Sequence, residues 1–262
     1  NTQLHGFVQE LMALRDQVLE QERWSSIQLA EQEMISNGIV AVGDISNGNT
    51  SFHQKSQKHI KYHTFVEVFG LEEGQAQAIF DRAQELKAAY FRSTRVSATP
   101  HAPYSMSKKL FKLIATENSE LFTIHNQETD GENELFQNGS GKLFDQLTKF
   151  SEAINDWEPT GKSSLASYLH KMPNDKRILL VHNTYSSKDD IVTAKLHSDY
   201  IYWCLCPNAN EYIEGRQPDY SLFSSERCTI GTDSLASNWS LSIFDELKTI
   251  TKKNPFILIE TL

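Results

Sequence analysis

The chain has 262 residues, of which 39% are hydrophobic and 23% charged, with a net charge of -9. That length and balance give one large α/β domain or two ordinary ones with ample core, and the acidic excess argues against a phosphate-backbone partner, so no nucleic acid is expected. No run approaches the roughly 20 apolar residues of a membrane span, so no membrane partner is expected either.

Leu4, Phe7, Val8, Leu11, Leu14 and Val18 recur at helical spacing and predict an amphipathic helix from Leu4 to about Glu22. Ser25 or Ser26 then caps a second helix through Ile35, stopped at Asn37-Gly38. A largely apolar strand follows at 39–45, then a loop at Asn47-Gly48-Asn49 and a strand at 60–69. Helical patterning returns over 76–91, a strand at 95–99 leads to His101, and Ser105 or Ser107 starts a helix to about Thr116. The stretch Leu121-Phe-Thr-Ile124 reads as a buried strand, with His125 and Glu128 immediately beyond it.

Residues 130–157 are polar and mostly helical, longer than a simple crossover, and make a wall for any site beside them. A shorter helix over 164–171 precedes the strand 177–182, which ends in His182. Ser187-Lys-Asp-Asp is a helix N-terminal signature for a helix to about His197. A strand at 200–206, a loop to about Pro218, a strand at 228–232 ending in Asp233, a helix over 240–252 and a further apolar element from Phe256 to Ile259 complete the series.

Seven strands alternating with helices predict parallel pairing and right-handed crossovers, in an open doubly wound sheet or a (β/α)8 barrel. A barrel requires one more strand, expected upstream of Asn1. Polar, metal-competent residues recur at strand C-termini: His101, His125, His182 and Asp233. In adjacent parallel strands these ends share one rim, where residues distant in sequence reach a single ion. Cys204, Cys206 and Cys228 are an odd set, read as reduced buried thiols of a cytoplasmic protein. The three Asn-x-Ser sequons are read as chance matches.

Thr99-Pro-His-Ala-Pro-Tyr104, His125-Asn-Gln-Glu128, Val181-His-Asn-Thr184 and Gly231-Thr-Asp-Ser-Leu-Ala-Ser-Asn238 together resemble the amidohydrolase superfamily, nearest its cytosine deaminase, guanine deaminase and chlorohydrolase-like branch. The resemblance implies an α/β fold, a (β/α)8 TIM-type barrel with seven of eight strands present. It implies a single catalytic barrel domain over 1–262, truncated at both ends and without the family's small β-sandwich. The His-x-His of the family's first strand is absent, His5 having no partner two residues away. By resemblance, His125 and Asp233 are metal ligands, Glu128 the proton shuttle, His182 and Asp233 catalytic partners, and His101 a substrate contact. Glu67, at a strand end, is read as a second pocket-lining substrate contact, whereas Asp44 is read as structural.

The cofactor implied is one divalent ion, zinc or iron, which lowers the pKa of bound water towards roughly 7. Asp233 would accept the water proton, Glu128 would protonate the ring nitrogen and then the leaving amine, and His182 would orient hydroxide or stabilise the developing negative charge. The implied reaction is hydrolytic deamination of an aminated heterocycle, a small-molecule substrate. Hydrolysis of another C–N or C–Cl bond, or a degenerate binding barrel, are the alternatives, and the sequence leaves a homo-oligomer open. His53, His59, His63, His170 and His197 are expected at the surface or in packing.

Overall fold

The structure, a computed structural model, describes residues 3–15, 17–223 and 227–257. Its strands are β1 (Ala41–Ser46), β2 (Lys61–Val68), β3 (Arg95–Pro100), β4 (Leu121–Asn126), β5 (Arg177–His182), β6 (Ile201–Leu205) and β7 (Cys228–Ile230). They pair in chain order and always in parallel, β1-β2-β3 in one sheet and β4-β5-β6-β7 in a second. Thr99 Oγ1 joins the sheets, donating to the Thr123 carbonyl and accepting from the Thr123 amide at 2.7 Å, and the His125 amide donates to the His101 carbonyl at 2.8 Å. Every strand therefore lies beside its sequence neighbour, and all C-terminal ends face one side.

Strand alternation sets which side chains reach that rim. In β4, Phe122 and Ile124 are fully buried in the main core with Val66, Val68, Ile178 and Leu180, while Thr123 and His125 point to the opposite face. Burying each of those large apolar side chains contributes about 2 kcal/mol, enough to fix the register that aims His125.

The crossovers contain α3 (Phe52–Ser56), α4 (Ala76–Tyr90), α5 (Lys108–Ala115), α6 (Asp130–Asn138), α7 (Lys142–Leu147), α8 (Ser164–Tyr168), α9 (Lys188–His197) and α10 (Pro207–Glu214), and α11 (Ile243–Lys253) follows β7. Ser107 and Ser187 cap α5 and α9, and Asp190 closes a capping box on the Ser187 amide at 2.9 Å. The 130–157 segment forms α6, α7 and a short 3-10 turn. Its Leu135, Phe136, Leu143 and Ile154 pack with Ala102 and Tyr104, beside the loop carrying His101.

Three local expectations are corrected. The helix expected through Glu22 ends earlier: α1 is Gln3–Arg15 and α2 is Glu20–Ser36. Glu22 accepts from the Leu19 amide at 3.1 Å and starts α2 there, while Ser25 and Ser26 donate to carbonyls one turn back instead of capping. The loop expected from Pro207 to Pro218 begins as α10, with Pro207 at its first turn and Gly215 ending it at φ 65°. The helix α3 was not anticipated; buried Lys55 holds it, pairing with Asp44 and donating to Ser46 Oγ at 2.9 Å. The apolar element expected at 256–259 lies partly outside the described residues. Among those described, no helix is long and apolar enough to cross a membrane.

Candidate metal centre

Glu67 ends β2, His101 follows β3 and His125 sits at the end of β4. Each offers one donor atom, and the three atoms lie within 4.8 Å of one another. The His125 ring is 4.9 Å from that of His101 and 5.3 Å from that of His182, centroid to centroid. His125 Nδ1 lies 2.9 Å from the His101 carbonyl oxygen. A carbonyl only accepts, so Nδ1 carries the proton and Nε2 presents its lone pair.

Glu67 Oε1 is buried with no hydrogen-bond partner, and lies 3.6 Å from His125 Nδ1. Its other oxygen accepts from Asn47 Nδ2 at 2.9 Å. An orphaned carboxylate oxygen beside two imidazoles is a cation-seeking arrangement, and this N/O donor set suits zinc or iron. The residues present fit a divalent ion.

Glu128 is 5% exposed, with Oε1 3.6 Å from His182 Nε2. Burial raises its carboxyl to about 8; the neighbouring His125 opposes this, while the charges of Asp233, Glu214 and Glu67 add to it. A carboxyl in this state carries a proton at neutral pH. His182 is held by Asn210, whose Oδ1 is 2.9 Å from Nδ1. Burial pushes His182 below its ordinary value, with the Asp233 charge and the Asn210 bond opposing. Burial also brings His101 down to about 4, against the Glu67 charge, and Ser105 Oγ fixes its Nδ1 at 2.8 Å.

Asp233 follows β7 in a different setting. It is exposed, and its carboxylate accepts from the Ser234 amide and from Ser237 Oγ, both at 2.7 Å. It is not one of the three clustered donors. Gly231, just before it, admits close approach to β6: a Cβ there would sit 2.8 Å from Cys204 Sγ. Cys204 and Cys206 are buried and Cys228 half-buried, all as free thiols.

The structure thus brings Glu67, His101 and His125 together, sets Glu128 against His182, and leaves Asp233 at the rim. Among the remaining histidines, His59 pairs with buried Glu31 at 2.8 Å, His63 bonds Ser97 Oγ at 2.9 Å and His53 packs edge-on against Trp24. Asn210 and Gln127 went unnoticed in the sequence. Asn210 fell in an expected loop, and Gln127 carries no signal beyond its place between His125 and Glu128.

The parallel α/β architecture with polar strand ends defines a class, and comparison defines the family within it. The chain belongs to the amidohydrolase family, whose model matches residues 1–258. It is similar to the aminodeoxyfutalosine deaminase of Nitratiruptor sp., with 26% identity over 247 residues covering 92% of this chain and 57% of that protein. Among solved structures it is similar to Helicobacter pylori aminofutalosine deaminase in complex with methylthio-coformycin (TM-score 0.78, 23% identity, 90% of this chain and 59% of that one). It is also similar to a Xanthomonas campestris adenosine deaminase with bound zinc (TM-score 0.65, 18% identity, 92% and 55%). The chain therefore spans less than two thirds of the length of these proteins. The family is metal-dependent.

Proposed function

We propose that the protein is a metal-dependent aminohydrolase that removes the amino group of an aminated purine-like heterocycle as ammonia. The observation carrying this reading is Glu128: a buried, proton-bearing carboxyl 3.6 Å from His182 Nε2 and three residues after His125. His125, with Asp233 reaching in from the rim, would hold one divalent ion, zinc for preference, and the Glu67 and His101 donors clustered with His125 would face the same ion from the substrate side. When bound, the ion lowers the pKa of water towards about 7 and so makes hydroxide available at neutral pH.

The chain's own groups then divide the work. Glu128 donates its proton to the ring nitrogen next to the attacked carbon. As a carboxylate it then takes up the water proton held by Asp233 and delivers it to the departing amine, and the proton of the new hydroxyl restores its acid form as the carbonyl forms. Asn210 Oδ1 accepts from His182 Nδ1–H, which leaves Nε2 as an acceptor that orients the attacking water; this favours orientation over charge stabilisation. Asp233, near enough to bias both Glu128 and His182, takes the water proton. Burial of Glu128 and His182 excludes bulk water from these transfers.

We infer further that the two parallel sheets are seven strands of an eight-stranded (β/α)8 barrel, and that the chain is one catalytic domain of a cytoplasmic protein. The test is ammonia release by the zinc-loaded protein across aminodeoxyfutalosine, adenosine, 5'-deoxyadenosine, guanine, cytosine and chlorinated and aminated triazines. Turnover confined to the purine-like members is expected. A protein that holds stoichiometric zinc and releases ammonia from none of them would overturn the assignment, and chloride release alone would move it to the chlorohydrolases.

A further inference from the structure

Between His125 and Glu128 the backbone turns through Gln127, which is fully buried and left-handed at φ 47°. For a residue with a Cβ, that conformation costs about 1 kcal/mol and persists only where its surroundings impose it. Here they do. The primary amide of Gln127 has two donor hydrogens and two acceptor lone pairs, and all four are used. Nε2 donates to Asn133 Oδ1 at 3.0 Å and to Asp190 Oδ2 at 3.1 Å. Oε1 accepts from Ser186 Oγ at 2.6 Å and from Asn126 Nδ2 at 3.3 Å.

Those partners come from separate elements. Asn133 lies on α6 and also accepts from the Ser164 amide of α8 at 3.0 Å. Asp190 lies on α9 and accepts from Ser163 Oγ as well. Ser186 belongs to the loop after β5, whose Tyr185 amide donates to the Gln127 carbonyl at 3.0 Å. One side chain therefore ties α6, α8, α9 and the ends of β4 and β5 to the peptide that carries Glu128.

We propose that Gln127 is a positioning residue: its saturated amide forces the left-handed turn that swings Glu128 inward to face His182. The proposal rests on the reading of Glu128 as the acid. It assigns to Gln127 the aim of that group and no contact with substrate.

The experiment compares Gln127→Met, which keeps the length and removes all four bonds, with Gln127→Glu, which keeps the acceptor and loses both donors opposite Asp190. Each variant of the zinc-loaded protein is assayed for kcat, KM and metal content, and its crystal structure is solved. We expect kcat to fall by about 100-fold in Gln127→Met, the usual effect of a 1 Å misplacement, and less in Gln127→Glu. KM and metal content should hold, and the Glu128–His182 separation should open beyond its 3.6 Å. A folded variant with wild-type kcat, or one that keeps the separation, overturns the proposal. Should Gln127→Met fail to fold, Gln127→Glu is read by the same criteria. A wild-type protein that releases no ammonia sinks the functional reading, and the separation in the variant crystal still decides for or against Gln127.

Discussion

The ends of β4 and β7 carry groups of similar chemical interest in opposite settings. After β4, Glu128 is buried above a polar network in which Gln127, Asn133, Asp190, Ser163 and Ser164 satisfy one another. After β7, Asp233 is exposed and held by two hydrogen bonds from its own loop. Burial gives the β4 end a raised carboxyl and a fixed aim, whereas exposure leaves the β7 carboxylate at the rim, where an ion can reach it. An acid that must hold its proton at neutral pH needs the first setting, whereas ligation and acceptance of the water proton tolerate the second. The contrast can be broken at either end.

The largest effect is expected at Glu128. Glu128→Gln keeps the shape and removes the transferable proton, so turnover should fall by about 1,000-fold, within the range for general acid–base groups. Zinc content measured on the same sample should be unchanged. Wild-type turnover in this variant would remove Glu128 from the chemistry.

Next comes the stability cost of the buried end. Burial raises Glu132, on α6, from 4.5 to about 7, with the Ser164 hydroxyl and the backbone amides of Gln127 and Glu128 opposing the shift. Between those values the folded chain keeps a proton that the unfolded chain has released, so stability falls as pH rises through this window and is level outside it. Glu132→Gln has no proton to lose. Its stability relative to wild type should therefore improve by about 3 kcal/mol from the bottom of the window to the top, read by urea unfolding across the window. A pH-independent difference would show that the carboxyl is not buried in solution.

A smaller effect is expected at Asn210, which is buried and fixes His182 through Nδ1 at 2.9 Å. Asn210→Leu frees the imidazole to rotate, and kcat should drop by about 10-fold, as for other groups that orient a functional histidine. Asn210→Asp keeps an acceptor at the same place and should recover most of the loss; equal loss in both variants would mean that the site tolerates no change there.

The strand ends and their polar residues were legible in the sequence, whereas the burial that sets Glu128 apart from Asp233 was not, for a physical reason. Strand ends were found because apolar runs stop at a polar residue, as in Leu121-Phe-Thr-Ile124 before His125, and β4 is buried continuously over Phe122, Thr123 and Ile124, as such a run in a parallel strand should be. His101, His125, His182 and Asp233 stood out at those ends for the same reason, whereas Glu67 was read as a substrate contact and nothing in the sequence signalled that its carboxylate clusters with two imidazoles. The start of α2 was missed because a capping interaction from Glu22 outweighed the serines that look like caps. The helix α10 was missed because Pro207 and Gly215 were read as loop residues when they mark its two ends. Gln127 and Asn210 were invisible because their importance lies in partners 6 to 63 residues away, which no local pattern encodes.

An effect of like size, on metal affinity and not on turnover, tests the exposed end. Ser237 is buried, and its hydroxyl donates to Asp233 Oδ2 at 2.7 Å, while Asp233 itself adopts a left-handed φ of 55°. A charge-assisted hydrogen bond of this kind contributes about 2 kcal/mol when buried and less where water competes. Ser237→Ala should therefore weaken zinc affinity by about 10-fold, in line with loss of an outer hydrogen bond to a ligand, and leave thermal stability nearly unchanged. Competition with a fluorescent chelator measures this directly. If affinity holds while melting temperature falls, the Ser237 bond serves the loop after β7 and not the ion, and the asymmetry between the two strand ends is then one of packing alone.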